Sequence, residues 1–193
     1  HVPVGYDKDK AAAVVLNLHG GGGNPASIRY ESGMDAVSDR EGFIAVYPAG
    51  TNKRLLIKDR LLLWNDGRPY SDGTYSKVDD VGFVKAVLDD VAGLFHIDKQ
   101  RIYAAGYSNG AQFTYRLAQQ LRDRIAAIAA VAGQRAADEL FGLPSWPISV
   151  MQFAGLQDPI GPYYGGKAPA NAALKTDLKS IEKKMRSIIN KNP

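Results

Sequence analysis

The chain has no cysteine among its 193 residues, which excludes a disulfide framework and a thiol nucleophile while leaving the compartment open. Histidine is almost as scarce, represented by His1, His19 and His96. Three residues so scattered, without an H-E-x-x-H pair, offer no ligand spacing for a metal site. No apolar run approaches the ~18 residues that a membrane span needs, and the N-terminus lacks the basic-then-apolar order of a signal peptide. Charge of either sign is not concentrated: 24 Lys and Arg stand against 20 Asp and Glu, a net +4. The excess is spread along the chain with its one local concentration near the C-terminus, so the basic footprint of a nucleic-acid binder is missing.

The apolar content of 45% suffices for a substantial core, and the length suits one domain over residues 1–193. Residues 11–18 form a nearly continuous apolar run, as expected of a strand covered on both faces. A helical segment follows around residues 27–40, then a strand at 43–47 stopped by Pro48. Residues 49–77 are polar with scattered Gly, Pro and aromatics, and read as a long surface excursion of the kind that is often functional. Asp79 and Asp80 are positioned to cap a helix whose apolar residues Val81, Val84, Val87, Val91 and Leu94 recur every three or four positions. Strands are expected at 101–105, 125–131 and 148–153, with a helix from Asn109 to Leu121 that carries Phe113 and Leu117 on its apolar face. The last segment places Leu178, Ile181, Met185 and Ile188 on one face of an amphipathic helix. The alternation predicts an α/β fold, a mostly parallel sheet of about five strands with helices on both faces.

Gly106-Tyr107-Ser108-Asn109-Gly110 places a G-x-S-x-G pattern between a predicted strand and a predicted helix. A sharp turn there lifts the serine hydroxyl above the sheet and requires glycine where side chains would collide. Such a serine needs donors for a developing oxyanion, a base for its proton and an acid to orient the base. Gly20-Gly21-Gly22-Gly23, after the first strand, supplies backbone N–H groups free of side-chain obstruction; the N–H of Asn109 is the second donor. The same loop formally fits a dinucleotide fingerprint as Gly21-x-Gly23-x-x-Ala26. The next strand ends in Tyr47-Pro48 rather than in the acidic residue that holds a ribose. Asp158 is the best-placed acid, past a strand and after the serine; an Asp-Pro turn former is the other reading of it. All three histidines precede Ser108. His19 is expected to hold the glycine loop, His96 to cap a helix end, and His1 to be mobile at the terminus.

Leu18-His19-Gly20-Gly21-Gly22-Gly23-Asn24, Trp64-Asn65-Asp66-Gly67-Arg68, Val78-Asp79-Asp80-Val81-Gly82-Phe83, Gly106-Tyr107-Ser108-Asn109-Gly110 and the run from Asp158 to Gly166 together resemble the polyhydroxybutyrate-depolymerase-like esterases, a family that includes feruloyl and acetyl-xylan esterases. The resemblance implies an α/β-hydrolase fold, Ser108 as nucleophile, Asp158 as acid, an oxyanion hole from Asn109 and Gly21, secretion, an ester substrate that is small or linked to a polysaccharide or polyester, and no cofactor or metal. It also implies an N-terminal antiparallel strand pair and a C-terminal segment carrying the catalytic histidine, so both ends are expected to be clipped. Where the family often has a histidine in the acid loop, this chain has Ala154. Trp64, with Tyr70 and Tyr75, either lines a pocket for a phenolic or sugar ester or packs the long loop onto the core. Tyr163 is a further candidate substrate contact.

Overall fold

The computed structural model describes residues 1–51, 62–68, 77–135 and 147–164. Tyr70, Tyr75, Gly165, Gly166 and the amphipathic segment from Leu178 to Ile188 lie outside them. The chain divides into two units, His1–Phe153 and Ala154–Pro193.

The first unit is built on five parallel strands. They are β1 (Ala12–Leu18), β2 (Ile44–Val46), β3 (Ile97–Tyr107), β4 (Ala127–Val131) and β5 (Ser149–Phe153), in the order β2-β1-β3-β4-β5. Alternation along β1 decides what each face holds. Val14, Leu16 and Leu18 join Ile102 and Ala104 of β3, Ile128 of β4, Val84 and Leu88 of α3 (Asp80–Leu94) and Phe113 and Leu117 of α4 (Asn109–Gln120) in one buried cluster. On the opposite face Asn17 and Ala105 look toward Ile28 of α1 (Pro25–Ser32) and Met34 of α2 (Met34–Glu41), across a cavity of about 470 Å³. Helices therefore lie on both faces, as the alternation requires.

Local chemistry explains most element ends and several departures from the expected ones. The helix predicted as one piece over 27–40 is two, because Gly33 adopts φ 58°, ending α1 and starting α2. The α1 start is a capping box: Asn24 accepts from the Ser27 N–H, Ser27 answers to the Asn24 N–H, and Pro25 occupies the first turn. Asp79 caps α3 by accepting the Gly82 N–H at 2.8 Å. The buried stripe of α3 runs through Val81, Val84 and Leu88, while Leu94, expected inside, is 75% exposed on the last turn. β3 is longer than the apolar run at 101–105 because its polar start also pairs with β1, across an irregularity between Ala12 and Val14. β5 is exposed along its whole length, Val150, Met151 and Phe153 included.

Two histidines are placed differently from their expected roles. His1 is anchored: its amino group donates to the Ala45 carbonyl, the Ala45 N–H donates back, and its ring lies 2.9 Å from the Asp39 carboxylate. His96 follows α3, and its ring meets the Lys8 carbonyl at 3.1 Å rather than the helix end. No helix among the described residues is long and apolar enough to cross a membrane.

The sheet and α4 approach closely at Gly110, where an added Cβ would collide with the carbonyl groups of Leu18 and His19. Gly110→Ala is therefore expected to destabilise by about 1–3 kcal/mol, with α4 pushed off β1. An unchanged urea midpoint would show that this approach is looser than described.

Candidate active site

Ser108 stands between the end of β3 and the start of α4 with φ 52° and ψ −117°. That conformation is costly for a residue with a Cβ, on the order of 1–3 kcal/mol, and persists when surrounding contacts over-determine it. Here they do. The Ser108 N–H donates to the Val131 carbonyl at 2.8 Å and the Ser108 carbonyl accepts from the Gln112 N–H at 3.0 Å. A Cβ on Gly106 would strike the Gly110 carbonyl, so both outer positions of the pattern are sterically confined to glycine. The arrangement has the strained strand–turn–helix geometry of a nucleophile elbow.

The glycine loop after β1 comes to the same place. Hypothetical Cβ atoms on Gly20 and Gly21 would lie 3.4 Å from the Ser108 Cβ and 3.5 Å from the Asn109 Cβ, which brings Gly21, Ser108 and Asn109 together. The Gly20 carbonyl accepts from the His19 ring at 2.8 Å and from the Gly23 N–H at 2.9 Å. In a trans peptide the N–H of Gly21 points opposite to that pinned carbonyl, so its direction is fixed as well. The phosphate-loop alternative finds no support. The Gly22 and Gly23 N–H groups go to the Leu62 and Gly20 carbonyls, and Asn24 takes the Ser27 N–H at the start of α1.

His19 is the residue that holds this loop. Its Nε2 accepts from the Gly50 N–H at 3.0 Å, so the proton is on Nδ1 and is donated to the Gly20 carbonyl. Burial holds the imidazole below its ordinary pKa, against the Gly20 carbonyl, which favours the charged form. With both nitrogens committed and no exposure, His19 is a strut and not a base. His96 precedes β3 while Ser108 follows it, so the two lie at opposite ends of the strand.

Residues 62–66 are not a surface excursion. Leu62 and Leu63 form bridges with Gly23 and Thr51, and Trp64, Asn65 and Asp66 are all buried. Trp64 has 0% exposure, so it does not line an open pocket. Its ring stacks on Phe113 at 5.0 Å and meets the tilted His19 ring at 5.0 Å, and its indole N–H donates to the His19 carbonyl at 3.0 Å. Its backbone is clasped by Asn109: Oδ1 accepts the Trp64 N–H at 2.8 Å and Nδ2 donates to the Trp64 carbonyl at 3.1 Å. Asn65 is held by Asp80, Val78 and Arg116; burial pushes the Asp80 carboxyl up, opposed by the Asn65 N–H and the Thr51 hydroxyl. Sequence reasoning missed these anchors. Their trace was the Trp64-Asn65-Asp66-Gly67-Arg68 motif, whose polar character reads as surface.

Asp158 and Tyr163 belong to the second unit. Asp158 Oδ1 accepts from the N–H groups of Ile160 at 2.8 Å and Gly161 at 3.0 Å, and its own N–H donates to the Gly155 carbonyl at 3.2 Å. It is therefore a turn former, which leaves its second oxygen unassigned by these contacts. Tyr163 is half exposed and packs edge-on against Tyr164 at 5.2 Å. Among the described residues no group of three or more His, Cys, Asp or Glu is arranged to hold a metal ion.

A parallel sheet with a strained serine at a strand-to-helix turn, beside a glycine loop from the neighbouring strand, defines an α/β-hydrolase. The chain belongs to the family described as Esterase PHB depolymerase, whose sequence profile matches residues 1–160. NocK of Nocardia uniformis subsp. tsuyamanensis, named as an esterase, is 33% identical over 159 residues, covering 82% of this chain and 44% of NocK. Feruloyl esterase B of Piromyces equi is 30% identical over 169 residues, covering 85% of this chain and 29% of that protein. Among solved structures, LpqC, a poly(3-hydroxybutyrate) depolymerase from Bordetella parapertussis, superposes with a TM-score of 0.55 at 21% identity, covering 79% of this chain and 57% of that one. The chain thus spans less than half the length of these two sequence relatives.

Two expected outcomes test the site. A glycine tolerates the Ser108 backbone conformation where alanine does not, so Ser108→Gly should be more stable than Ser108→Ala by about 1 kcal/mol in urea unfolding; equal stability would remove the strain. His19 has a folded-state pKa below that of an unfolded histidine, near 6.5. The stability that this neutral ring contributes is complete above that pH and declines as pH falls through the window beneath it. Thermal melts between pH 8 and 5 should show the decline, and a slope that persists in His19→Gln would assign it elsewhere.

Proposed function

We propose that the protein is a serine carboxylic ester hydrolase of the feruloyl or acetyl-xylan esterase kind, with residues 1–193 contributing its catalytic domain. The observation that carries this is the strained Ser108 with Gly20 and Gly21 packed against Ser108 and Asn109. In this reading Ser108 Oγ attacks the ester carbonyl, and the negative charge that develops on the carbonyl oxygen is held by the N–H groups of Asn109 and Gly21. The start of α4 adds the positive end of a helix dipole at the same point. The alcohol leaves, giving an acyl-enzyme, and water releases the acid and restores the serine. Asp158 orients the imidazole that takes the serine proton. His19 is committed, His1 is held by Ala45 and Asp39, and His96 lies at the far end of β3, so none of the three is placed to serve as that base; the family likeness implies a histidine from a C-terminal segment. The family likeness implies no metal or organic cofactor. We also propose secretion, by likeness to the family.

Substrate choice rests on likeness as well. Feruloyl and acetyl-xylan esterases stand among the relatives, and a poly(3-hydroxybutyrate) depolymerase among the structural neighbours. Tyr163 is the exposed aromatic candidate for contact with an acyl or sugar ring. Relative rates on methyl ferulate, acetylated xylan and hydroxybutyrate oligomers separate these choices. A non-catalytic binding module on the same fold would bind one of them and cleave none.

Residues 1–193 alone are expected to hydrolyse p-nitrophenyl acetate poorly, since loss of a triad member leaves about 10³–10⁴-fold catalysis over water. A form extended at the C-terminus should be active, and Ser108→Ala in that form should abolish the activity. Equal activity of the two forms would refute an external base, and an active Ser108→Ala would refute the nucleophile.

A further inference from the structure

The Asp66 side chain is completely buried, close to the elbow, and the mechanism above does not use it. Its Oδ2 accepts from Asn109 Nδ2 at 2.8 Å and from Arg68 Nε and Nη2 at 3.0 and 2.6 Å, while Oδ1 accepts the Arg68 N–H at 3.1 Å. Arg68 Nη2 also reaches Gln112 Oε1 at 2.6 Å. Asn109 and Gln112 are both in the first turn of α4, and the Gln112 N–H binds the Ser108 carbonyl. One carboxylate thus grips the helix start directly through Asn109 and indirectly through Arg68.

We infer that Asp66 is a positioning residue for the oxyanion site, acting through the Asn109 carboxamide to fix the direction of the Asn109 N–H. The inference rests on the esterase reading of Ser108 and Asn109. An asparagine side chain has two rotatable bonds, and the carboxamide is held at three points: Oδ1 on the Trp64 N–H, Nδ2 on the Trp64 carbonyl and on Asp66. A carboxamide rotated by half a turn would set its oxygen against the Asp66 carboxylate, which the buried charge forbids. With the side chain locked, the Asn109 Cα and its N–H have a single setting relative to Gly21. The carboxylate is the stronger acceptor for this purpose, because hydrogen bonds to an ionised group are about twice as strong as neutral ones. Arg68, partly exposed, balances the charge without occupying the site.

A purely structural role for Asp66 would be to hold residues 62–66 down, and Asp80 does that independently by accepting the Asn65 N–H at 2.6 Å without touching Asn109. The two carboxylates can therefore be compared in the full-length protein with p-nitrophenyl acetate. A donor that acts in the transition state affects kcat and not KM. Asp66→Asn should lower kcat about 10–100-fold, short of the ~10²–10³ for a donor removed outright, with KM within about twofold. Arg68→Gln, which keeps the carboxylate with its Asn109 and backbone bonds but removes the guanidinium, should show a smaller loss of the same kind. Asp80→Asn should lower the melting temperature and keep kcat within about threefold. Unchanged kcat in Asp66→Asn and Arg68→Gln beside an inactive Ser108→Ala would overturn this inference alone, as would an equal kcat loss in Asp80→Asn. Should Asp66→Asn fail to fold, Arg68→Gln against Asp80→Asn decides by the same kcat comparison. Full activity in Ser108→Ala would overturn the esterase reading and this inference with it.

Discussion

Trp64 enters the core with its backbone N–H and carbonyl facing a side chain in place of a strand, and the Asn109 carboxamide satisfies both. Buried backbone groups that lose their partners cost about 1–3 kcal/mol each, so these two bonds, with the Asp66 N–H as a second donor to the Trp64 carbonyl, let a polar segment be an inner layer of the fold. Once Trp64 is seated, its ring fills the space between His19 and Phe113, and its indole N–H fixes the His19 carbonyl. The bridge from Leu62 to Gly23 then ties the same segment to the glycine loop. Elbow and glycine loop come from different strands. They are held in register by a third piece of chain that belongs to neither.

The strain at Ser108 depends on the same clasp. A positive-φ serine relaxes if either of its neighbours can move, and here the sheet fixes one side through Val131 while α4 fixes the other through Gln112. α4 itself is held at its first residue by Trp64 and Asp66 and along its length by the burial of Phe113 and Leu117. The missing side chains of Gly106 and Gly110 let the strand and helix backbones approach closely enough for that hold to act. Packing energy spread over the helix thus maintains a local conformation that costs a few kcal/mol at one residue.

The sheet and the elbow were legible in the sequence because both have local signatures. β1 and β4 are apolar runs, α4 repeats its apolar residues at helical spacing, and the turn between β3 and α4 requires glycines at fixed positions. The departures arise where tertiary context overrides local pattern. The break at Gly33 depends on one backbone angle within an otherwise helical stretch. β3 extends through polar residues because pairing with β1 continues beyond the apolar run. Leu94 has an acceptable spacing but sits at the edge of the stripe, and on that last turn it is Val91, Ala92 and Phe95 that pack against the core. Asn65 and Asp66 look like surface residues to any composition rule, yet they are inside because the acceptors and donors that pay their desolvation come from α3, α4 and Arg68, distant in sequence or invisible to hydropathy.

Histidine 19 shows why residue type alone does not assign a role. An imidazole two residues from a proposed oxyanion donor would be the first candidate for a general base on proximity. A base must present a nitrogen lone pair to the serine, and the one lone pair of this ring is spent on the Gly50 N–H. Burial further weakens its affinity for a proton, which is opposite to what a group accepting one in the reaction requires. The same two properties suit it to another task. A neutral ring with a fixed tautomer orients the Gly20–Gly21 peptide, so the geometry of the proposed donor is set by a hydrogen bond that the proposed chemistry never needs to break.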